Sequence, residues 1–501
     1  MTRRAGTVMF APQARIVDVS SGRVIGSNVQ RTQTSTQREV TTVIAPDLIS
    51  VVVTQVNTGI STVTITLNNQ RFDPVDHKRP IYPPWKFNDF SGRRTDTQDT
   101  SGTYALKLGQ RLRVDYRYGA GPWTKMILAR VTNLAFTFPA DSGSKLVVTG
   151  EDLMSILKVK PTRDHAYHAG MQEEDIFDNV LERAHAAVPF SRGDRRIPHR
   201  DRGLPAVRHQ KSQTYFQFMS DLADRLDCEL YVDFADRNVD QVAVPGAATA
   251  DATNTDSTAI DVSREVRFRM EPARSGIRPS TRDEDWTAGE STDRGTYIEL
   301  RYGKSLVDFT PTLKVWEMPT SATVSGSHPD RRGRARGEIT SQDIQRAIEG
   351  ELWPSASYPN ATPIDAITAR RDYFGDANDA EDNSETSHAS HLDQQRTRMK
   401  ALAQVLKKVR EFMTVEAKSV GVPKLRPGKN VHILGLRPPF DGFYYTVKAV
   451  HTLDASGYMT TLSLRRPGML PPGQYMTASR EENQEREQRE EAARDAAEAS
   501  T

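Results

Sequence analysis

Two histidines spaced H-x-x-H can offer both imidazoles to one metal ion, and the chain holds two such pairs, His165 with His168 and His388 with His391. No Cys pair and no H-E-x-x-H accompanies either, and both lie in polar stretches, so they read as solvated histidines. Cys228 is the one thiol of the chain. It could serve as a nucleophile, yet it shares strand parity with Leu230 and Val232, which reads it as core. The run Arg192 to Lys211 is rich in Arg and His and could meet phosphate or acidic neighbours. It lacks the aromatic interleaving that stacking on single strands needs, so it reads as a solvated or interface loop. Glu349, Glu351, Asp365 and Asp372 could supply an acid pair for a hydrolase. There is no Walker loop, G-x-S-x-G or dinucleotide fingerprint. The reading therefore assigns no catalytic residue, no cofactor ligand and no metal ligand.

Such groups need elements to hold them, and 501 residues suffice for two to four domains. With 67 Lys+Arg against 65 Asp+Glu, no global field recruits nucleic acid or an acidic membrane. A single cysteine excludes a disulfide framework and fits synthesis in a reducing compartment. The start, Met1 to Pro12, has too short an apolar run for a signal peptide, and no stretch of about 18 apolar residues is long enough to span a membrane.

Along the chain, residues 1–39 read as an N-terminal arm. Val40 to Gln70 is rich in Val, Ile and Thr and breaks at Asn57-Thr58-Gly59, which predicts a hairpin. Asp73 to Gly102 is a Pro-rich loop, with Trp85 and Phe87 as anchors. In Arg111–Tyr118, Leu112, Val114, Tyr116 and Tyr118 alternate with Arg111, Arg113, Asp115 and Arg117, the pattern of a half-buried strand. Strands over 123–138 and 145–149 follow after tight turns, so 40–160 reads as a first β-barrel. Residues 161–242 read as an α+β insert: Ile176, Phe177, Val180, Leu181 and Ala184 share one helical face. Tyr215, Phe216, Met219, Leu222, Ala223 and Leu226 share another, before period two resumes at Cys228. Residues 243–296 and 320–395 are polar and read as exposed insertions. Between and after them, 297–319 and 396–467 read as a second barrel, with Met399, Leu402, Val405, Leu406 and Val409 as a helix face. Residues 468–501 form a charged tail without an apolar stripe.

The second barrel repeats the grammar of the first. Gly428-Lys-Asn-Val-His-Ile echoes Gly109-Gln-Arg-Leu-Arg-Val, and 22 positions separate Gly109 from Val131 as they do Gly428 from Val450. On that spacing Arg130 to Leu134 faces Ala449 to Leu453. Two similar barrels in one chain would let three chains around an axis present six equivalent units.

The C-terminal run Pro423-Lys-Leu-Arg-Pro-Gly428, Asp441-Gly-Phe-Tyr-Tyr-Thr-Val-Lys-Ala-Val-His451 and Gly457-Tyr-Met-Thr-Thr-Leu-Ser-Leu464 resembles the closing barrel of the phage late control D proteins. These are the baseplate hubs of contractile tails, and the hub portion of VgrG proteins is similar. Gln210 to Ala223 with Cys228 to Phe234 resembles that family's helix-strand insert, and Leu300 to Phe309 its re-entry to the second barrel. The resemblance spans 40–467 with gaps. It implies a mainly β fold with an α+β insert and two related antiparallel barrels per chain in a trimeric ring. It also implies a non-enzymatic homotrimer that joins a sixfold tail tube above to a threefold spike protein below. Other baseplate proteins would contact the insertions and tail. Assembly would occur in the host cytoplasm and residence in the tail baseplate or an injection particle. Two departures matter: the insertions are longer than a minimal hub needs, and no β-helical spike follows Pro467, so the chain resembles a free-standing hub rather than a fused hub-spike. The rival reading is a tail-associated peptidoglycan hydrolase with its carboxylates in an insertion, and a third is a carbohydrate-binding surface protein.

Overall fold

A computed structural model describes residues 12–28, 48–72, 106–138, 143–191, 208–235, 260–273, 298–327, 334–352 and 394–469, with single-residue breaks. It also describes the short stretches 31–34, 41–44, 80–85, 364–369 and 384–390. The first strands are β1 (Pro12–Asp18), β2 (Val24–Ser27), β3 (Leu48–Val56), β4 (Thr62–Asn68), β5 (Arg111–Tyr118), β6 (Thr124–Thr137) and β7 (Lys145–Asp152). Helices α1 (Glu173–Arg183) and α2 (Tyr215–Arg225) precede β8 (Cys228–Phe234) and β9 (Val266–Pro272). Then come β10 (Ile298–Arg301), β11 (Leu306–Leu313), β12 (Ser321–Ser327), β13 (Arg334–Ile339), α3 (Ser341–Leu352), β14 (Ser384–Ser390) and α4 (Gln394–Val409). The chain closes with β15 (Met413–Val420), β16 (Asn430–Leu434), β17 (Gly442–Asp454) and β18 (Gly457–Arg466).

The fold is mainly β, as the sequence implies. One thirteen-stranded sheet runs β11-β15-β18-β17-β3-β4-β7-β6-β5-β1-β2, with β16 on β17 and β10 on β16. Two five-stranded units of the same order lie in it. Unit 1 is β3-β4-β7-β6-β5 and unit 2 is β11-β15-β18-β17-β16; all pairs within both are antiparallel.

The match extends to irregularities. Gly109 and Gly428 both have φ +79°, the left-handed region that favours glycine. The Gly109 N–H donates to the Val131 carbonyl at 2.8 Å, and the Gly428 N–H to that of Thr446 at 2.9 Å. A bulge then follows Val131 in β6 and Thr446 in β17. Bulges also fall between Leu48 and Ser50 in β3 and between Leu306 and Asp308 in β11. The sequence register of the repeat is thereby corrected: Val131 matches Thr446, not Val450, because the β16–β17 hairpin has shorter strands than the β5–β6 hairpin, β16 having 5 residues against 8 in β5. Arg130 to Leu134 faces Tyr445 to Ala449.

Three other expectations change. The N-terminal arm holds β1, which pairs with β5 along its length and buries Ala14, Ile16 and Val17. Insertion 243–296 holds β9, where Val266, Phe268 and Met270 are buried and Arg267, Arg269 and Glu271 alternate with them. That period of two is masked by the polar residues around it. Insertion 320–395 holds the sheet β13-β12-β14 and α3, and its Val324, Ile339, Ile344 and Ile348 join the core of unit 2 with Val405 and Val409 of α4. Small residues such as Ala322 and Gly337 let strand and helix approach there without raising the hydropathy.

The insert folds as its sequence pattern predicts. Ile176, Phe177, Val180 and Leu181 of α1 pack with Met219, Leu222 and Ala223 of α2 over β8 and β9. Thr214 and Gln217 form a reciprocal capping box that starts α2. In β5 the apolar face is core, but the charged face is covered too. Asp115 takes Arg15 and Arg113 at 2.9 Å each, and Arg113 reaches Glu265 at 3.0 Å. Paired charge makes that burial tolerable.

Candidate functional site

The most organised polar and aromatic chemistry lies where the two units and the insert meet. The joint between units is the ladder of β17 on β3, from Lys448 opposite Val56 to Leu453 opposite Val51. One side of it is core: Ala449, His451 and Leu453 from β17, Val51, Val53 and Gln55 from β3, all buried. His451 Nδ1 lies 2.7 Å from the Tyr458 hydroxyl, and the Tyr116 ring meets the Tyr458 ring edge-on at 5.1 Å. Tyr118 donates to the Gly421 carbonyl. Burial pushes the Tyr116 and Tyr458 hydroxyls well above their ordinary range, so both stay protonated donors.

The insert is tied to both units by Glu229 of β8. Its carboxylate accepts from Asn57 Nδ2 at 2.6 Å and Arg465 Nη2 at 3.0 Å, and from the Tyr445 hydroxyl. Burial raises its pKa, while Arg465, Tyr445 and Asn57 pull it back. A second tie is the two-pronged pair of Arg410 with Asp227, at 2.6 and 2.7 Å. These contacts hold three parts of the chain in one arrangement. A small cleft of about 70 Å³ nearby is lined by Gln55, Asp152, Tyr231, Arg269, Arg426 and Lys429. Its charges are mixed, and nothing in it forms a nucleophile–base pair.

Each unit also has a stretch with no ladder partner on its outer side among the described residues. In unit 1 it is the end of β6 beyond the bulge, Asn133 to Phe138; in unit 2 it is β11. Phe138 is 52% exposed, Leu313 41% and Val307 54%.

The residues singled out in the sequence are not brought together. Cys228 is buried, and burial pushes its thiol up, which makes it a poor nucleophile. His165 packs edge-on against the Tyr167 ring at 4.7 Å, and His168 is exposed. The side chains of His388, Glu349, Glu351 and Asp365, and residues His391 and Asp372 altogether, lie outside the described part. So do Trp85 as a side chain, Phe87, most of the run 192–211 and the tail from 470. Among the described residues no group of three or more His, Cys, Asp or Glu could hold a metal, and no helix is long and apolar enough to cross a membrane. Sequence reasoning missed Glu229.

No family model matches the chain, and no curated protein matches it in sequence. Among solved structures it is similar to a tail protein from Neisseria meningitidis MC58, at 9% identity and TM-score 0.49, covering 91% of this chain and 97% of that one. A 43 kDa tail protein of prophage MuSo2 from Shewanella oneidensis is similar at 11% identity and TM-score 0.47, covering 91% and 98%. An Escherichia coli component of the type VI secretion system is similar at 10% identity and TM-score 0.42, covering 89% and 78%. These figures are too low to transfer a role.

Proposed function

We propose that the chain is a structural subunit of a contractile tail or related injection machine, a hub that joins a sixfold tube to a threefold spike. One observation supports the reading most: a single chain carries two five-stranded units of the same strand order, with the same glycine turn and the same two bulges. Three such chains around an axis offer six near-equivalent units to a sixfold neighbour and keep threefold symmetry everywhere the units differ. The sequence resemblance to late control D and VgrG hubs supports it independently. On this reading the work is mechanical: continuous ladders and buried ties such as Glu229 resist load, and no residue acts as a catalyst. Assembly would precede incorporation into a baseplate. Native mass spectrometry at micromolar concentration is the test. A species of three 56.0 kDa chains is expected, and a monomer persisting at high concentration would overturn the hub. A zymogram on peptidoglycan addresses the hydrolase rival, for which clearing would be required.

A further inference from the structure

Two kinds of contact hold the insert. Toward unit 1 it is apolar: Leu128 of β6 and Leu153, Met154 and Leu157 of the short helix after β7 share one core with α1, α2, β8 and β9. Toward unit 2 the contact is made of charge. Four ion pairs cross it: Arg396 with Glu173 at 3.1 Å, Lys407 with Asp224 at 3.3 Å, Arg410 with Asp227 at 2.6 Å and Arg465 with Glu229 at 3.0 Å. In each, the cation stands on α4 or β18 and the carboxylate on the insert. Among the described residues the core of the insert takes no member from unit 2, and the core of unit 2 takes none from the insert.

The charges fall on facing rows. Arg396, Lys400, Ala403, Lys407 and Arg410 follow at alternating steps of four and three, which makes them one stripe of α4, the helix that lies against α2. Asp221, Asp224 and Asp227 are three apart along α2 and its end. The fit is not attractive throughout: Lys400 lies near Arg225 as well as Asp221, and burial and Arg225 together lower its pKa. A face of this kind is held by charge, which salt screens, rather than by expelled water, which salt leaves in force.

We propose that the insert is an electrostatic latch: fixed to unit 1 by its apolar core, it closes on α4 and β18 through the charge-matched face and lets go of them as ionic strength rises. This goes beyond the hub reading and does not rest on it. Opening leaves few polar groups stranded. Glu229 keeps the Asn57 amide at 2.6 Å, and Arg465 keeps the face of the Tyr445 ring at 4.9 Å. The ladder of β17 on β3 involves no residue of the insert and stays paired. Opening therefore bares the basic stripe of α4 while both cores remain intact.

Energy transfer between dyes on the full-length chain tests the latch. One dye sits at Glu182→Cys on α1, and the other at Glu416→Cys on β15 of unit 2 or at Lys145→Cys on β7 of unit 1; all three positions are exposed, and buried Cys228 stays unlabelled. An excess of unlabelled chain keeps the transfer within single chains. The titration runs from about 0.1 M to about 1 M NaCl, over which the screening length falls from about 10 Å to about 3 Å. Transfer between α1 and β15 should be lost reversibly, while transfer between α1 and β7 and the circular dichroism stay constant. Asp224→Arg should move the opening to lower salt, and adding Lys407→Glu should move it back. Constant transfer between α1 and β15 overturns the latch. So does a parallel loss in both dye pairs, because the insert would then leave unit 1 as well, and so does an Asp224→Arg chain that opens where the parent does.

Discussion

Asp152 ends β7 and caps the short 3-10 helix Leu153–Lys158. Its Oδ1 accepts the Met154 N–H at 3.0 Å and its Oδ2 the Ser61 N–H at 2.8 Å. Burial outweighs those bonds and lifts the carboxyl to about 7. An unfolded aspartate titrates near ~3.9. Between the two values the native chain holds a proton that the unfolded chain has lost. The stability this group contributes is complete below the unfolded value and declines as pH rises, by about 1.4 kcal/mol per unit and roughly 4 kcal/mol in all. Asp152→Asn never ionises and keeps an acceptor for Met154, but sets an amide N–H against that of Ser61, at a cost of about 1–3 kcal/mol. The variant should therefore be the less stable protein at pH 4.5. Its deficit should shrink by about 3 kcal/mol and reach or cross zero by pH 8. Urea unfolding of both proteins at fixed ionic strength, compared pH by pH, cancels the titration of all other groups. Parallel curves across that range would refute the claim that burial outweighs the two backbone donors.

Glu229→Ala strands the buried Arg465 guanidinium and two further donors, and should cost about 3–5 kcal/mol. Adding Arg465→Met should recover part of the loss in a double-mutant cycle on urea midpoints, whereas additive losses would mean the pair does not couple. Gly337→Ala in β13 would place a Cβ 2.3 Å from the Arg398 backbone nitrogen of α4 and force strand and helix apart. It should lower stability by about 3 kcal/mol or more. Gly303→Ala, left-handed but with nothing within 4 Å, should cost only about 1 kcal/mol. Melting temperatures of the two variants give the comparison, and equal shifts would sink the packing argument.

The apolar faces of strands and helices were legible from their period. Alternation in β5 and helical spacing in α1 and α2 placed Val114, Phe177 and Met219 in the core, where they are. The reading failed where both faces are covered or where small residues do the packing. The charges of β5 imply an exposed face, but the network of Arg15, Arg113, Asp115 and Glu265 joins residues up to 152 positions apart, and no local period reports such pairing. Residues 320–395 read as an exposed insertion because small residues such as Gly337 make close contact there without an apolar side chain. Nothing local marks Glu229, since its partners lie on turns and strands of both units. The repeat was visible, but its spacing was taken from the outline of the strands. The left-handed glycines and the bulges fix the register instead.

On the proposed hub reading, those fixed points also bear on how one chain could serve two symmetries. In unit 1, β3 and β4 are joined by the short turn after Val56, and the long connection, residues 69–110, leaves from the end of β4. In unit 2 the order is reversed: residues 314–412 separate β11 from β15, and residues 421–429 carry the chain directly to β16. The additions therefore depart from opposite ends of the same strand in the two units, because an insertion is tolerated at a hairpin turn but not inside a ladder. What remains common is the part a sixfold neighbour would read. What differs occurs once per chain, on both sides of the sheet's length, and so repeats three times in a ring of three. In the proposed hub, duplicated ladders with unlike loops would reconcile the two symmetries.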